Sequence, residues 1–338
     1  MLLSYSLATA FAAMGAAMQM GAAPTGRNIP DRYQYDLPAA LEKPAEIDGT
    51  TQTDSFKFRH DAGERMTVAV QLGSTGPYRF MVDTGSERTI ISRQLAGRLG
   101  LKQGAGVRLH SIVGTNVVNT AIIPQLQLSK REFLAIDAPT LEADHIGADG
   151  MLGVDSLKSQ RILFDFKANT MSVTPSTDPA ESLGDGTIVV RARNREGRLV
   201  LTDAKADRQP LAVILDTGSQ VSIGNLALRD RLRERRLLGQ PQAIAIMSVT
   251  GATLQGEYMI LKQLEIGGAT LTNLAIVFAD AHTFKQLGFE KKPALLLGMN
   301  AMRAFERVSI DFTRKKLRVK MPKSSSADNV QLALRSMR

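Results

Sequence analysis

The tetrapeptide Asp-Thr-Gly-Ser occurs twice in this chain, at Asp83–Ser86 and at Asp216–Ser219, and each copy ends an apolar run. The copies lie 133 residues apart, and the same spacing aligns Arg65 with Arg198 without a gap. A motif repeated in register over a long segment indicates two copies of one structural unit. The fold must therefore place two equivalent loops, each carrying one carboxylate.

A second pair of signatures extends the repeat. An apolar segment ends at Gly153 in the first half and a similar segment ends at Gly298 in the second. Asp165 and Asp311 each follow their glycine at nearly the same distance, inside short apolar runs. The offset stays almost constant, so the chain is predicted to be an internal pseudo-dimer and to need no second copy, which makes it a monomer.

The composition supports two lobes and excludes several kinds of site. With 338 residues and 43% apolar content, each half can bury a core of its own. Cysteine is absent, which excludes disulfides, thiol nucleophiles and cysteine-based metal sites. The four histidines are too scattered in sequence for a local ligand motif, so we expect neither a metal nor a cofactor.

The formal charge of +9 could indicate a nucleic-acid partner. Its strongest clusters, at 229–236 and 314–320, lie in a predicted helix and a predicted strand and lack interleaved aromatic residues. We therefore interpret them as a solvated basic face and expect no nucleic acid. A protein that binds anionic surfaces through its duplicated lobes stays open as an alternative.

The first 23 residues are mostly apolar and carry no charge, which is typical of a secretory signal segment. A membrane anchor is the alternative, and would be the chain's sole membrane contact. Either interpretation predicts a periplasmic or secreted protein. The predicted organisation is 1–23 signal peptide or anchor, 24–60 linker or prosegment, 61–174 first lobe, 175–183 linker, 184–322 second lobe and 323–338 disordered tail.

Alternating apolar residues predict a hairpin, with strands over 66–72 and 78–82, that delivers Asp83 to a loop. Matching runs at 199–201 and 211–215 deliver Asp216. Short helices are predicted at 93–99 and 226–237, where apolar residues recur at helical spacing. Each lobe is therefore predicted to be mainly β.

Each residue type of the two loops has a physical task. The glycines permit a tight turn and bring backbone N–H groups to the carboxylate. The threonines are expected to hydrogen-bond across to the other loop, and the serines to donate to the outer carboxylate oxygens. These supporting residues are Thr84, Gly85, Ser86, Thr217, Gly218 and Ser219.

Asp83 and Asp216 are the candidate catalytic residues. Two carboxylates that share one site do not both ionise easily, so the pair retains one proton over a wide pH range. The charged member can deprotonate a water molecule while the protonated member donates to the developing oxyanion. This chemistry requires no metal and no covalent intermediate.

The duplicated loops and glycine signatures, over approximately residues 65–320, resemble aspartic peptidases of the pepsin and retropepsin superfamily. The resemblance implies an all-β, bilobal, pseudo-twofold fold with two barrel-like lobes and a few short helices. It also implies a dyad between the lobes, an extended peptide or protein substrate across the cleft, and endopeptidase activity. A catalytically weak or inactive peptide-binding protein that uses the same cleft is the alternative.

The chain departs from the pepsin pattern in its flaps, the hairpins that cover the cleft in this superfamily. The matching segments, 111–115 and 248–252, both contain glycine and lack tyrosine. They are closer to the paired flaps of retropepsins, so a single-chain retropepsin-like architecture is expected. The flap candidates are Val113, Gly114, Thr115, Thr250 and Gly251.

Overall fold

The computed structural model describes residues 54–57, 59–60, 66–128, 131–235 and 239–322. The predictions for 1–23 and 323–338, and for most of 24–60, lie outside these residues. Within the described ranges, no helix has the length and apolar character needed to cross a membrane.

The first half contains twelve strands and three short helices in its described part. In chain order they are β1 (Asp54–Lys57), β2 (Arg59–His60), β3 (Met66–Leu72), β4 (Thr75–Val82), β5 (Ile90–Ser92), α1 (Arg93–Arg98), β6 (Val107–His110), β7 (Thr115–Val118), β8 (Thr120–Leu128), β9 (Arg131–Leu141), α2 (Ala143–Ile146), β10 (Gly150–Leu152), α3 (Val154–Leu157), β11 (Gln160–Asp165) and β12 (Thr170–Pro175).

The second half has the same order of major elements. Its members are β13 (Ile188–Arg195), β14 (Arg198–Leu201), β15 (Ala204–Ala206), β16 (Gln209–Pro210), β17 (Ala212–Leu215), β18 (Ser222–Gly224), α4 (Leu226–Glu234), β19 (Gln242–Met247), β20 (Thr253–Ile266), β21 (Ala269–Phe278), α5 (His282–Gln286), β22 (Ala294–Leu297), α6 (Met299–Met302), β23 (Arg307–Asp311) and β24 (Lys316–Lys320). The predicted all-β, bilobal fold is confirmed.

The predicted hairpin before Asp83 is confirmed as β3 and β4. Both predicted helices are present, and each begins where a side chain caps it. Ser92 accepts a hydrogen bond from the backbone of Leu95 at the start of α1, and Asn225 does the same for Leu228 at the start of α4. Such caps satisfy backbone N–H groups that have no partner within the helix.

Each lobe centres on a three-strand unit whose central strand is fully buried. In the first lobe β10 lies between β4, which is parallel to it, and β5, which is antiparallel. In the second lobe β22 lies between β17 and β18 with the same directions. The central strand of each unit is apolar along its whole length because both of its faces are buried.

Six strands of a larger sheet, three from each half, join the lobes in the order β1-β12-β11-β23-β24-β13. At its centre β11 pairs antiparallel with β23, and Ile162 lies opposite Ile310. Asp165 forms an ion pair with Arg307 at 2.7 Å in this sheet. Strand β1 lies within the segment 24–60, so the end of the predicted linker is part of the sheet.

The glycines at 153 and 298 let one segment of backbone lie against another. A Cβ on Gly153 would lie 2.8 Å from the backbone nitrogen of Thr89, and a Cβ on Gly298 would lie 2.7 Å from the carbonyl carbon of Val221. Real Cβ atoms do not approach backbone so closely. The glycines therefore permit the strand ends to support the Asp-Thr-Gly loops.

We predict that Gly153→Ala lowers the free energy of unfolding by about 1–3 kcal/mol, because the added methyl group must displace backbone. Urea-induced unfolding measures the change. The control is Gly97→Ala in α1, where a Cβ would meet no atom within 4 Å and alanine favours the helix. Equal stability of the Gly153→Ala protein and the wild type would contradict the prediction.

Candidate active site

Each Asp-Thr-Gly loop begins where a buried strand of its lobe ends. The backbone N–H of Asp83 donates to the carbonyl of Leu152 at 3.0 Å, and that of Asp216 donates to Leu297 at 3.1 Å. These bonds extend the β4–β10 and β17–β22 pairings by one residue. The position of each carboxylate is therefore fixed by a central strand of its lobe.

The structure brings the two loops together, with each aspartate against the glycine of the opposite loop. A Cβ on Gly85 would lie 2.7 Å from Oδ1 of Asp216, and a Cβ on Gly218 would be closer still to the carboxylate of Asp83. Neither glycine has a positive φ angle. Both nevertheless lie in a turn, as expected, and the backbone N–H of each donates to the carboxylate of its own loop. The facing carboxylate is a second reason for the absence of a side chain.

The two threonines bridge the loops. The backbone N–H of Thr84 donates to Oγ1 of Thr217 at 3.0 Å, and the reciprocal bond measures 3.2 Å. Each hydroxyl donates onward to the opposite strand, from Thr84 to the carbonyl of Leu215 and from Thr217 to that of Val82. Both threonines are buried, so the bridge forms without competition from water.

The backbone orients each carboxylate. Oδ1 of Asp83 accepts from the N–H groups of Gly85 and Ser86, at 2.7 and 3.1 Å. Oδ1 of Asp216 accepts from Gly218 and Ser219, both at 3.1 Å. Two N–H donors to one oxygen stabilise the charged carboxylate and fix its plane.

The expectation that the serine hydroxyls donate to the carboxylates is wrong. The hydroxyl of Ser86 donates to the carbonyl of Arg88 at 2.8 Å, and that of Ser219 donates to Val221 at 2.7 Å. A hydroxyl has a single proton, and the carbonyl two residues further along the chain is the nearer acceptor. The serine side chains therefore close the loops rather than contact the dyad.

Burial raises the pKa of both Asp83 and Asp216, because it disfavours their charged forms. The negative charge of Asp83 adds to this effect and raises the pKa of Asp216 to about 7. The backbone donors and the positive charge of Arg198 act in the opposite direction on both groups. A pair with these properties retains one proton at mildly acidic pH.

Sequence reasoning missed the role of Arg198, which extends from the second lobe to the loop of the first. Its Nε donates to the carbonyl of Gly85 at 2.7 Å, and its Nη1 pairs with Glu87 at 2.8 Å. The Arg198 side chain is 7% exposed. The sequence did contain a signal for this role, because the repeat places Arg198 directly before the apolar residues of a predicted strand. An arginine in such a strand rarely lies buried without a fixed partner.

The flap candidates lie on two hairpin turns that contact the opposite lobe. Val113 and Gly114 lie in the turn between β6 and β7, and Thr115 begins β7. Thr250 and Gly251 lie in the turn between β19 and β20. We define the first flap as residues 107–118 and the second flap as residues 242–258.

Each flap turn packs on an apolar cluster of the facing lobe. Ile112 of the first flap lies against a second-lobe cluster that includes Ile214 and Leu287. Val249 of the second flap lies against a first-lobe cluster that includes Ile146. The turn of each flap therefore contacts the lobe to which the flap does not belong.

Two family models match the chain, one in each lobe. Residues 68–159 match the family described as "gag-polyprotein putative aspartyl protease", and residues 202–301 match the family described as "Aspartyl protease". The chain belongs to the retropepsin-like aspartic peptidases. No curated protein matches it at a significant level.

Each matched range of this retropepsin-like peptidase contains one Asp-Thr-Gly loop and one glycine signature. The two family matches therefore fall on the two copies of the internal repeat. In the described part of the chain, no group of three or more His, Cys, Asp or Glu side chains is arranged to hold a metal ion.

We predict that Thr217→Val lowers the free energy of unfolding by about 2–4 kcal/mol, because it leaves the carbonyl of Val82 and the N–H of Thr84 buried without partners. Valine has nearly the shape of threonine, so packing changes little. Thr217→Ser retains the hydroxyl and should cost about 1 kcal/mol for the lost methyl group. Equal unfolding midpoints in urea for the two variants would refute the bridge.

Proposed function

We propose that the protein is an aspartic endopeptidase in which Asp83 and Asp216 together activate a water molecule. The contact of each carboxylate with the glycine of the opposite loop carries the proposal. It is supported by the burial that raises the pKa of both groups, and by the bonds that fix both carboxylate planes. The membership of both lobes in aspartyl protease families supports the same activity.

The proposed reaction uses the single proton that the pair retains. The charged carboxylate takes a proton from the water as the oxygen attacks the peptide carbonyl carbon, and the protonated carboxyl donates to the carbonyl oxygen. The resulting gem-diol collapses when the C–N bond breaks, the leaving nitrogen takes a proton from the protonated carboxyl, and one diol hydroxyl gives its proton to the charged carboxylate. A carboxyl and an amine are released, and the dyad returns to its first state.

We propose an extended peptide or protein segment as the substrate, with apolar side chains near the scissile bond. The two apolar clusters under the flap turns support this choice, because they offer aliphatic surface on both sides of the dyad. The flaps are hairpins, and their backbone can pair with an extended chain. A substrate would then replace the flap turns on the clusters.

We predict that Asp83→Asn and Asp216→Asn each reduce kcat/KM on a peptide library by about 10²–10⁴-fold, because each removes either the acid or the base. Asp207→Asn is the matched control. Asp207 is also buried with a raised pKa, but it lies in the turn between β15 and β16. Its positive φ of 43° suits asparagine, so this variant should keep wild-type activity.

The outcomes separate the candidate functions. Loss of cleavage in both dyad variants, with retained folding by circular dichroism, supports the peptidase. Binding of peptides without cleavage by the wild type would favour a peptide-binding protein. Wild-type activity in both dyad variants would overturn the assignment of Asp83 and Asp216.

We predict that kcat/KM falls as the pH rises through about 7, because the pair then loses the proton that serves as the acid. Arg198→Met should move this alkaline limb to higher pH, since the positive charge of Arg198 lowers the pKa of both carboxyls. Arg198→Lys retains the charge and should leave the limb near its wild-type position. A limb that does not move in Arg198→Met would contradict an electrostatic role for Arg198.

A further inference from the structure

Three of the four histidines lie at the contacts between a flap and the opposite lobe. The backbone N–H of His282, at the start of α5, donates to the carbonyl of Ile112 in the first flap at 2.8 Å. The imidazole of His145, on α2, lies against Gly251 in the second flap, where a Cβ would be 2.7 Å from Nε2. The contacts therefore use one histidine from each lobe.

His145 and His282 occupy equivalent positions in the two lobes. Their spacing in sequence equals the spacing of Ser111 and Ser248, which begin the two flap turns. Their helices also match, since α2 follows β9 and α5 follows β21. A histidine beside the opposite flap is therefore part of the duplicated unit rather than a chance feature of one lobe.

The first flap has an additional histidine, His110, and it bonds directly to His282. Nδ1 of His110 lies 3.1 Å from Nε2 of His282, the ring centroids are 5.3 Å apart and the planes differ by 1°. The distance between the centroids exceeds the distance between the nitrogens by only about one ring width, so both nitrogens lie on the line that joins the centroids. Because the two planes are parallel, the rings lie edge to edge in one plane. This is the geometry of an in-plane N–H···N hydrogen bond.

Thr115 completes the contact, with its Oγ1 3.1 Å from both ring nitrogens. One imidazole must supply an N–H and the other a lone pair, so the bond survives with no proton added or with one. When both rings are protonated, no lone pair remains and two positive charges face each other. Double protonation therefore converts an attraction between the flap and the second lobe into a repulsion.

The surroundings oppose protonation of His282. Partial burial lowers the pKa of its imidazole, and the charges of His110 and Lys285 lower it further. Asp280 pairs with Lys285 at 2.8 Å, and Glu290 also acts on Lys285. Arg108 is the other charged residue on the strands of the first flap. The charges that act on His282 are therefore positive, and the acid Glu87 contacts the other end of α5 through Gln286.

A shared metal ion fits this pair poorly. The two ring nitrogens lie on the line that joins the ring centres, so their lone pairs point at each other. A metal on that line would need about 2.0–2.1 Å to each nitrogen, which exceeds the space between them. Rings that share a tetrahedral ion would instead meet at an angle.

We propose that the His110–His282 pair is a pH-sensitive clasp that holds the first flap closed over the cleft, and that releases the flap when both imidazoles are protonated. The direction of the pH effect follows from the linkage between protonation of the histidines and opening of the flap. A histidine whose pKa is lowered in the closed state stabilises that state at neutral pH, and this contribution is lost as the pH falls from 6.5 through the lowered pKa. Each unit by which the pKa of the histidine differs between the open and closed states changes the ratio of the two states by up to about tenfold.

The consequence of the clasp is easier entry of substrate at acidic pH, and this consequence rests on the proposed function. Its test needs no substrate, so failure of the clasp and failure of the peptidase are distinguishable. The chain has no cysteine, which allows spin labels at Val113→Cys on the flap turn and Lys291→Cys beyond α5. Both sites are exposed, and neither is in the dyad or the clasp.

Pulsed dipolar distance measurements on the labelled chain should show one short distance near pH 8 and a growing long-distance population towards about pH 5. His282→Gln retains a hydrogen-bonding amide that does not titrate, so it should abolish the change with pH. His145→Gln alters the equivalent histidine at the second flap and should leave the change intact. Distances that ignore pH in the wild type would overturn the clasp, as would an unchanged response in His282→Gln.

A second measurement uses the wild-type chain without spin labels, so its result does not depend on the folding of a labelled variant. Imidazole NMR signals should show that His282 titrates below its ordinary value of 6.5, mainly through burial, and that the shift becomes smaller in His110→Asn. A normal titration of His282 that is independent of His110 would also overturn the clasp.

Discussion

The enclosure of two carboxylates between two lobes is the constraint on which the rest of this structure depends. Burial and like charge both disfavour ionisation of Asp83 and Asp216, so something must hold them together. The reciprocal threonine bonds hold the loops, and the glycines leave room for the facing carboxylates. The interlobe sheet then fixes the lobes at the distance that these contacts require. Each device has a counterpart in both halves, because a dyad between lobes needs equal support from both.

Much of this could be predicted because the decisive signals are local and repeated. An apolar strand that ends in Asp-Thr-Gly, found twice in register, indicates the lobes, the loops and the pairing of the aspartates. The contact of Gly85 with the opposite aspartate could not be predicted in the same way, because it depends on a carboxylate 131 residues away in the chain. The direction of the Ser86 hydroxyl depends on the competition between two nearby acceptors. Strand pairing between the lobes is set by register over long range, which alternation within one strand does not encode.

The two halves have diverged where the lobes meet. Glu87 pairs with Arg198, whereas Gln220 stands at the position equivalent to Glu87. His110 bonds to His282, whereas Met247 stands at the position equivalent to His110. In both cases a side chain of the second lobe holds the first lobe, once at its Asp-Thr-Gly loop and once at its flap. The halves of a duplicated chain are free to change separately at such contacts, which two identical subunits are not.

The shared proton is the central claim, and direct titration of the aspartate carboxyls tests it most closely. The ¹³C carboxyl signals of Asp83 and Asp216 can be followed by NMR across the pH range and assigned with the two asparagine variants. A shared proton predicts two well-separated titration steps that both residues report, with the last proton lost near pH 7. Two independent titrations, each near the ordinary aspartate value of about 3.9, would contradict it.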